Sequence, residues 1–354
     1  MERKDYQVIA GPCSAESEEQ VVQTALAIKD IGGGVDYYRA GIWKPRTNPG
    51  GYEGPGVKGL SWLLQAKNVS GLKTATEVAT AKHVEDALNF EVDLLWIGAR
   101  TTVNPFSVQQ LADTLRGTDA TVYIKNPVNP DLKLWVGAVE RILKAGITKV
   151  GLIHRWFSQY GNSRFRNEPL WQIPIEMKRL FPDIPMICDP SHIVGKRDGL
   201  FDVLQTSIDL DYNGAIIETH LDPNSALTDK DQQIEPLALK AGLEQLVWKK
   251  NSLDTPQYSI ELDGLRKQIN VHDEQLIYLI RNRMNIAEEI GRLKKDNQVT
   301  VLQNNRWNEV LDKAVLLGTS LDLSEDFIRH MMELLHLESI RLQNSLQKVE
   351  QQIH

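Results

Sequence analysis

Apolar positions along the chain change rhythm once, near residue 250. Before that point, short apolar runs alternate with longer amphipathic stretches. Eight runs stand out: QVIAG (7–11), DYYRA (36–40), LKTATE (72–77), DLLWIGAR (93–100), TVYIK (121–125), KVGLIH (149–154), PMICD (185–189) and GAIIETH (214–220). Each is short and rich in Val, Ile, Leu, Tyr or Trp, the texture of strands buried on both faces. Between them, stretches such as SEEQVVQTALAIKDIG and NPDLKLWVGAVERILKAG repeat apolar residues at helical spacing. Eight strand–helix units in about 245 residues match the size of a (β/α)8 TIM barrel. An open doubly wound sheet is the competing α/β arrangement. It is disfavoured because no GxGxxG follows the first run and because eight regular units favour closure.

Beyond the break no strand-like run occurs, and no proline follows Pro256. Leu262, Leu265, Ile269, Leu276, Leu279, Ile280, Ile286, Ile290 and Leu293 recur at helical spacing. They predict one helix of more than about thirty residues, long enough to need a packing partner. NNRWNEVLDKAVLLG predicts a second helix. A third starts at Ser324, with acidic residues in its first turn. The expected organisation is a barrel domain at 1–248, a linker at 249–258 where Pro256 blocks continuous helix, and an all-α three-helix domain at 259–354.

Composition narrows the partners. With 354 residues, 42% hydrophobic and 25% charged, the chain is an ordinary globular protein. Its 40 basic and 47 acidic residues, net −7, argue against a nucleic-acid partner. A local basic pocket for small anions remains compatible with that balance. Two cysteines, Cys13 and Cys188, make no disulfide framework. No run approaches the roughly 20 apolar residues of a membrane span, and MERKDYQVIAG has no signal-peptide core. A soluble cytoplasmic protein is expected.

A barrel places its chemistry where the strands end. There stand Cys13, then Arg39, Lys44, Arg46 and Thr47, then Arg100 after Gly98 and Ala99. Lys125, His154, Arg155, Asp189, His192, Glu218 and His220 follow, with Asp229 in the loop beyond. Singly, each has a plain alternative. A strand-end Arg is often structural, Cys13 fits a tight turn, and Cys188 reads as core. Asp189 fits a cap before Pro190, and His220 reads as readily as packing as catalysis. Jointly they differ from a random scatter. Five or more cations around one mouth repel one another, a cost that two phosphorylated ligands would offset. Cys13, His192, Glu218 and Asp229 offer a thiolate, an imidazole and two carboxylates, a set suited to a divalent transition metal.

The strings AGPCS, KPRT, IGAR, DPSH and IIETH…LTD, in this order, resemble the 3-deoxy-D-arabino-heptulosonate 7-phosphate synthase family, in its shorter KPRT-containing type, over residues 5–248. The resemblance implies condensation of phosphoenolpyruvate with erythrose 4-phosphate at the start of the shikimate pathway, with release of phosphate. It implies that Cys13, His192, Glu218 and Asp229 hold one divalent ion per barrel, manganese first, with iron, cobalt, zinc or cadmium as alternatives. Arg100, Lys125 and Arg155, with the Gly98–Ala99 backbone, match the phosphoenolpyruvate clamp. Arg39 and Lys44 match the substrate carboxylate and reacting centre. Lys44, Pro45, Arg46 and Thr47 match the segment that receives erythrose 4-phosphate. Some members carry a regulatory domain before the barrel; with the first strand beginning near residue 6, none is expected here.

The helical segment carries Arg266, Arg283, Lys294 and Arg306 on otherwise apolar faces. The plain reading is snorkelling surface charge. At about 100° per residue, Arg283 and Lys294 fall within roughly 20° of each other, whereas Arg266 lies roughly 100° from Arg283. A partner chain could therefore supply Arg266. Over about 260–350 the segment resembles the all-helical chorismate mutase family. That resemblance implies a site lined by Arg266, Arg283, Lys294, Arg306, Ser339 and Gln343, rearranging chorismate to prephenate, with Arg266 crossing to the other subunit of a homodimer. Lys294 and Gln343 become the donors to the ether oxygen. Gln303 and Trp307 stand where many members carry acids; Gln303 still bonds a hydroxyl, while Trp307 offers no carboxyl group. The expected function is bifunctional, with feedback by prephenate through the helical domain. The alternative is a monofunctional synthase whose tail only senses and dimerises.

Overall fold

The computed structural model describes residues 5–32, 34–44, 50–158, 169–249 and 256–348. The chain divides into two compact units, 1–251 and 252–354. In the first, eight parallel strands close in sequence order: β1 (Gln7–Gly11), β2 (Tyr37–Arg39), β3 (Lys73–Val78), β4 (Leu94–Ile97), β5 (Thr121–Lys125), β6 (Val150–His154), β7 (Met186–Cys188) and β8 (Gly214–Glu218). β8 pairs back onto β1 with Gly11 opposite Glu218, which completes the barrel.

Around it lie α1 (Glu18–Asp30), α2 (Val57–Ser70), α3 (Ala81–Asn89), α4 (Ala99–Thr102), α5 (Pro105–Leu115), α6 (Leu132–Lys144), α7 (Gln172–Leu180), α8 (Pro190–Val194), α9 (Leu200–Asp209) and α10 (Pro236–Gln245). Local chemistry sets their starts. The side chains of Ser17, Thr80, Asn104, Asp131 and Asp189 each accept a hydrogen bond from a backbone N–H in the first turn of the helix that follows. Several expected strands are trimmed for related reasons. β7 omits Pro185, which lacks an N–H, and Asp189, which has turned to cap α8.

Side chains alternate across each strand. Val8, Ala10, Tyr38, Leu95, Ile97, Val122, Ile124, Leu152, Met186, Cys188, Ala215 and Ile217 belong to the large cluster under the helices. Ile9, Ala75, Leu94, Trp96, Tyr123, Ile153, Ile187 and Ile216 form a separate cluster inside the barrel. The inner set fixes the parity of the site: two residues past an inward core position is another inward position. Gly11, at φ 150°, is required where β1 meets β2, because a Cβ there would lie 2.0 Å from the Arg39 carbonyl oxygen.

The second unit is three helices: α11 (Pro256–Asp296), α12 (Asn304–Ser320) and α13 (Glu325–Lys348). α11 begins at Pro256, three residues before the expected start, because proline is tolerated in a first turn. α13 packs on both α11 and α12. The apolar seam foreseen along α11 is largely uncovered: Leu265, Ile269, Leu276, Leu279 and Leu293 are exposed, and Met284 and Ala287 are the buried apolar side chains. A single chain of three helices has too little surface to cover a 41-residue helix. Among the described residues no helix is long and apolar enough to cross a membrane.

Candidate functional sites

Strand parity gathers the barrel chemistry. Inward Ile9 leads to Gly11 and Cys13, Tyr37 to Arg39, Tyr123 to Lys125, Ile153 to Arg155, Ile187 to Asp189, and Ile216 to Glu218. One donor atom each of Cys13, Glu218 and Asp229 lies within 4.8 Å of the others. Cys13 Sγ is 3.1 Å from Asp229 Oδ2 and 3.0 Å from Lys44 Nζ. His192, on α8, lies outside that group of three but next to it: its Nε2 is 3.7 Å from Glu218 Oε1 and its Nδ1 is 2.9 Å from Asp189 Oδ1. A carboxylate holding one ring nitrogen leaves the other to face a metal. Sulfur, imidazole and two carboxylates, largely buried and convergent, fit a divalent transition ion.

Charge balance agrees. Burial, then the Glu218 carboxylate, pushes the Cys13 thiol up to about 12, so a cation is needed to hold it as thiolate. Burial would raise Glu218, but His192, Arg39 and Lys44 outweigh it and hold the carboxyl down at about 2. Arg39 Nη1 lies 3.1 Å from Glu218 Oε1, and Gln232 Nε2 donates to Glu218 Oε2 at 2.7 Å. Gln233 Oε1 accepts from the Cys13 N–H.

Beside this cluster, Lys125 Nζ donates to Asp189 Oδ2 at 2.9 Å, with both side chains buried. Burial would raise Asp189, yet His192 and Lys125 keep it well below the carboxylate range. The cations at the mouth are thus interleaved with carboxylates, and their mutual repulsion is smaller than the sequence pattern implies. Arg39 and Lys125 flank the Trp96 ring at 5.1 and 5.5 Å, and Trp96 Nε1 donates to Glu77 Oε2 at 2.9 Å. Arg155 is buried, its guanidinium 4.4 Å over Trp156. Burial lowers its hold on the proton. The Nε atoms of Arg155 and Arg39 are buried with no hydrogen-bond partner among the described residues. Two such donors cost roughly 1–3 kcal/mol each unless a ligand completes them. Gly98 is held tight against Glu77, where a Cβ would stand 2.2 Å from Oε1. Ala99 and Arg100 open α4, with Arg100 exposed but near enough for its charge to act on Arg155. Pro45, Arg46 and Thr47 lie outside the described residues.

His154 faces outward, bonded to Pro169 and Tyr212, and Cys188 is core. His220 is buried, with Nδ1 accepting from the Asp222 N–H. Sequence reading omitted Glu77, Trp96, Gln232 and Gln233. Glu77 had a signal, because it shares parity with inward Ala75 in KTATEV.

In the helical unit a cavity of about 580 Å³ is lined by Arg283, Lys294, Gln303, Arg306, Ser339 and Gln343, with Trp307 and His336. Arg283 Nη1 donates to Ser339 Oγ at 2.7 Å. Lys294 Nζ donates to the Val301 carbonyl at 2.6 Å, and Arg306 Nη1 to Glu309 Oε2 at 3.0 Å. Arg266 is not brought there; it is exposed and lies 3.5 Å from Asp263. His336 went unnoticed in the sequence, although it sits three residues before Ser339 on the same face.

Comparison with known proteins follows this division. A phospho-2-dehydro-3-deoxyheptonate aldolase of Thermotoga maritima is 29% identical over 230 residues, covering 65% of this chain and 65% of that protein. A 2-dehydro-3-deoxyphosphooctonate aldolase of Wolinella succinogenes is 28% identical over 272 residues, covering 68% and 97%. The crystal structure of a phospho-2-dehydro-3-deoxyheptonate aldolase (DAHP synthase) from Thermotoga maritima superposes with a TM-score of 0.60 at 27% identity, covering 69% of this chain and 68% of that one. Residues 265–344 match chorismate mutase type II. With residues 2–254 matching the DAHP synthetase I family across the whole barrel, the chain belongs to that family and carries a chorismate mutase type II domain at its C-terminal side.

Proposed function

We propose that the barrel condenses phosphoenolpyruvate with erythrose 4-phosphate to 3-deoxy-D-arabino-heptulosonate 7-phosphate and phosphate, and that the helical unit rearranges chorismate to prephenate. The observation that supports the first reading is the convergence of Cys13, Glu218 and Asp229, with His192 Nε2 3.7 Å from Glu218, beside Lys44 and Arg39. Cys13, His192, Glu218 and Asp229 would hold one divalent ion, manganese first. When bound it supplies Lewis acidity toward the aldehyde oxygen.

The chain's own residues do the rest. Arg155, Lys125 and Arg100, with the Gly98–Ala99 backbone, hold the phosphate of phosphoenolpyruvate, and the orphaned Nε of Arg155 gains a partner. Arg39 and Lys44 reach its carboxylate and the reacting centre, while Arg46 and Thr47 take the phosphate of the second substrate. Fixing two anions face to face is the main service. The enol carbon forms a bond to the aldehyde carbon, water adds at the neighbouring carbon, and the C–O bond to phosphate breaks. A three-carbon enol and a four-carbon aldose give a seven-carbon product; the octonate relatives make one carbon more, so the acceptor needs testing.

In the helical unit Arg283 and Arg306, with Arg266 from a second copy, take carboxylates. Lys294 and Gln343 donate to the ether oxygen as charge develops there, and Gln303 and Ser339 line the remainder. The bare apolar length of α11 supports a homodimer through this unit. Prephenate bound there restrains the condensation. The reading carries a cytoplasmic location and no nucleic-acid or membrane partner.

The test is phosphate release from phosphoenolpyruvate with either erythrose 4-phosphate or arabinose 5-phosphate, alongside chorismate disappearance, before and after chelation. Expected are preference for the four-carbon acceptor, loss of phosphate release on chelation with recovery on adding Mn²⁺, and undiminished chorismate turnover. Phosphate release indifferent to chelation would sink the metal assignment. No turnover at saturating chorismate would leave the sensor-and-dimerisation alternative. Condensation rates that stay flat across a prephenate titration would end the feedback proposal.

A further inference from the structure

Among the described residues, the cavity of the helical unit carries three cations and no acid. Arg283, Lys294 and Arg306 line it, and none of its lining residues is Asp or Glu. Guanidinium and ammonium groups only donate hydrogen bonds. Such a cavity serves anionic groups well but lacks a carboxylate to accept a ligand's hydroxyl proton; Gln303, Ser339 and Gln343 offer only uncharged oxygens. Trp307, an indole that also only donates, does not supply one.

His336 answers that shortage. Its ring stacks on Trp307 with centroids 4.1 Å apart and planes 12° from parallel. One face of the imidazole is thereby covered and its plane is set, leaving the ring edge for polar contact. Nε2 is shielded from solvent and has no hydrogen-bond partner among the described residues. On α13 the residue lies three positions before Ser339 and seven before Gln343, all three on the cavity wall. Gln343 Oε1 is likewise buried without a partner. Two unsatisfied polar atoms on one wall are what a ligand would complete. Burial, then the charges of Arg283 and Lys294, disfavours the imidazolium and keeps the ring a neutral acceptor.

We propose that His336, clamped by Trp307, is a specificity-determining residue that accepts a hydrogen bond from the hydroxyl of the cavity's substrate, in place of the carboxylate this cavity lacks. The inference rests on the mutase reading, in which that hydroxyl is the ring alcohol of chorismate. Trp307 acts as a positioning residue through its stack.

The experiment compares kcat/KM of the full chain for chorismate and for the analogue lacking the ring hydroxyl, in wild type, His336→Leu and His336→Gln, with helix content monitored by circular dichroism. Expected is a loss of about 10- to 100-fold for chorismate in His336→Leu, less than about twofold for the analogue, and recovery of most of the chorismate rate in His336→Gln. Equal losses for both substrates in His336→Leu, or no loss for chorismate, would overturn the assignment. Should His336→Leu lose its helix content, the same comparison in His336→Gln decides: a substrate-independent defect there counts against it. If the wild type turns over neither substrate, the mutase reading falls first and takes the inference with it.

Discussion

Lowering the pH from about 7.5 to about 5 should cost the barrel about 2 kcal/mol through His154 alone. The ring is fully buried on the outer side of β6, against Trp171, Phe157 and Tyr212. Its Nε2 lies 2.6 Å from the Pro169 carbonyl oxygen and its Nδ1 3.0 Å from the Tyr212 hydroxyl. The neutral tautomer satisfies both: Nε2–H donates to the carbonyl and Nδ1 accepts from the phenol. A second proton would make the phenol the acceptor and leave a charged ring buried away from water. Burial outweighs the Pro169 carbonyl and Asp189, and holds the group down at about 4 against an ordinary 6.5. The unfolded chain takes up the proton near 6.5. Between the two values it binds more protons than the folded chain, so stability is full above about 6.5, falls with pH, and stops falling below about 4. At 1.36 kcal/mol per pH unit the whole span is about 3 kcal/mol, of which about 2 is lost by pH 5. Urea unfolding of the full chain at both pH values, followed by tryptophan emission, measures it. Carboxylates titrate in the same range, so the comparison is with His154→Gln, whose pH loss should be smaller by about 2 kcal/mol. Equal losses in the two proteins would refute the argument.

Inside the barrel, Gly151→Ala would place a Cβ 2.5 Å from Tyr123 Cε1, on a ring whose hydroxyl is bonded to Gln7 Oε1. A destabilisation of about 1–3 kcal/mol is expected from overpacking, read as a lowered Tm; an unchanged Tm would show that the ring moves freely. Arg39→Met removes the guanidinium that holds Glu218 Oε1 without touching the proposed ligands themselves. Mn²⁺ affinity measured calorimetrically should fall about 10- to 100-fold, and an unaltered affinity would show that Arg39 does not orient the carboxylate.

The eight strands were legible because parallel strands buried on both faces leave continuous apolar runs, and the three helices because their period is distinct. The ligand set was legible by residue type and order. Glu77 escaped although KTATEV carried its parity, since a lone carboxylate without a recognised string attracts no reading. His336 escaped because a histidine on a half-exposed helix face reads as packing until its stacking partner on α12 is known. The seam on α11 was legible as apolar and in need of a packing partner, but periodicity reports a face and not what lies against it, and within this chain most of that face is exposed.

Sequence alone determined the order and type of the elements, the closing arrangement they favour, and which side chains arrive at the strand ends, since all of these follow from local period and composition. Only the tertiary structure decided which charges neutralise one another. Arg39 against Glu218 and Lys125 against Asp189 are separated by 179 and 64 residues, and their pairing depends on ångström distances created by barrel closure. The same holds for the unpartnered Nε of Arg155 and Nε2 of His336: a missing partner is a property of three-dimensional surroundings, and no one-dimensional pattern records it.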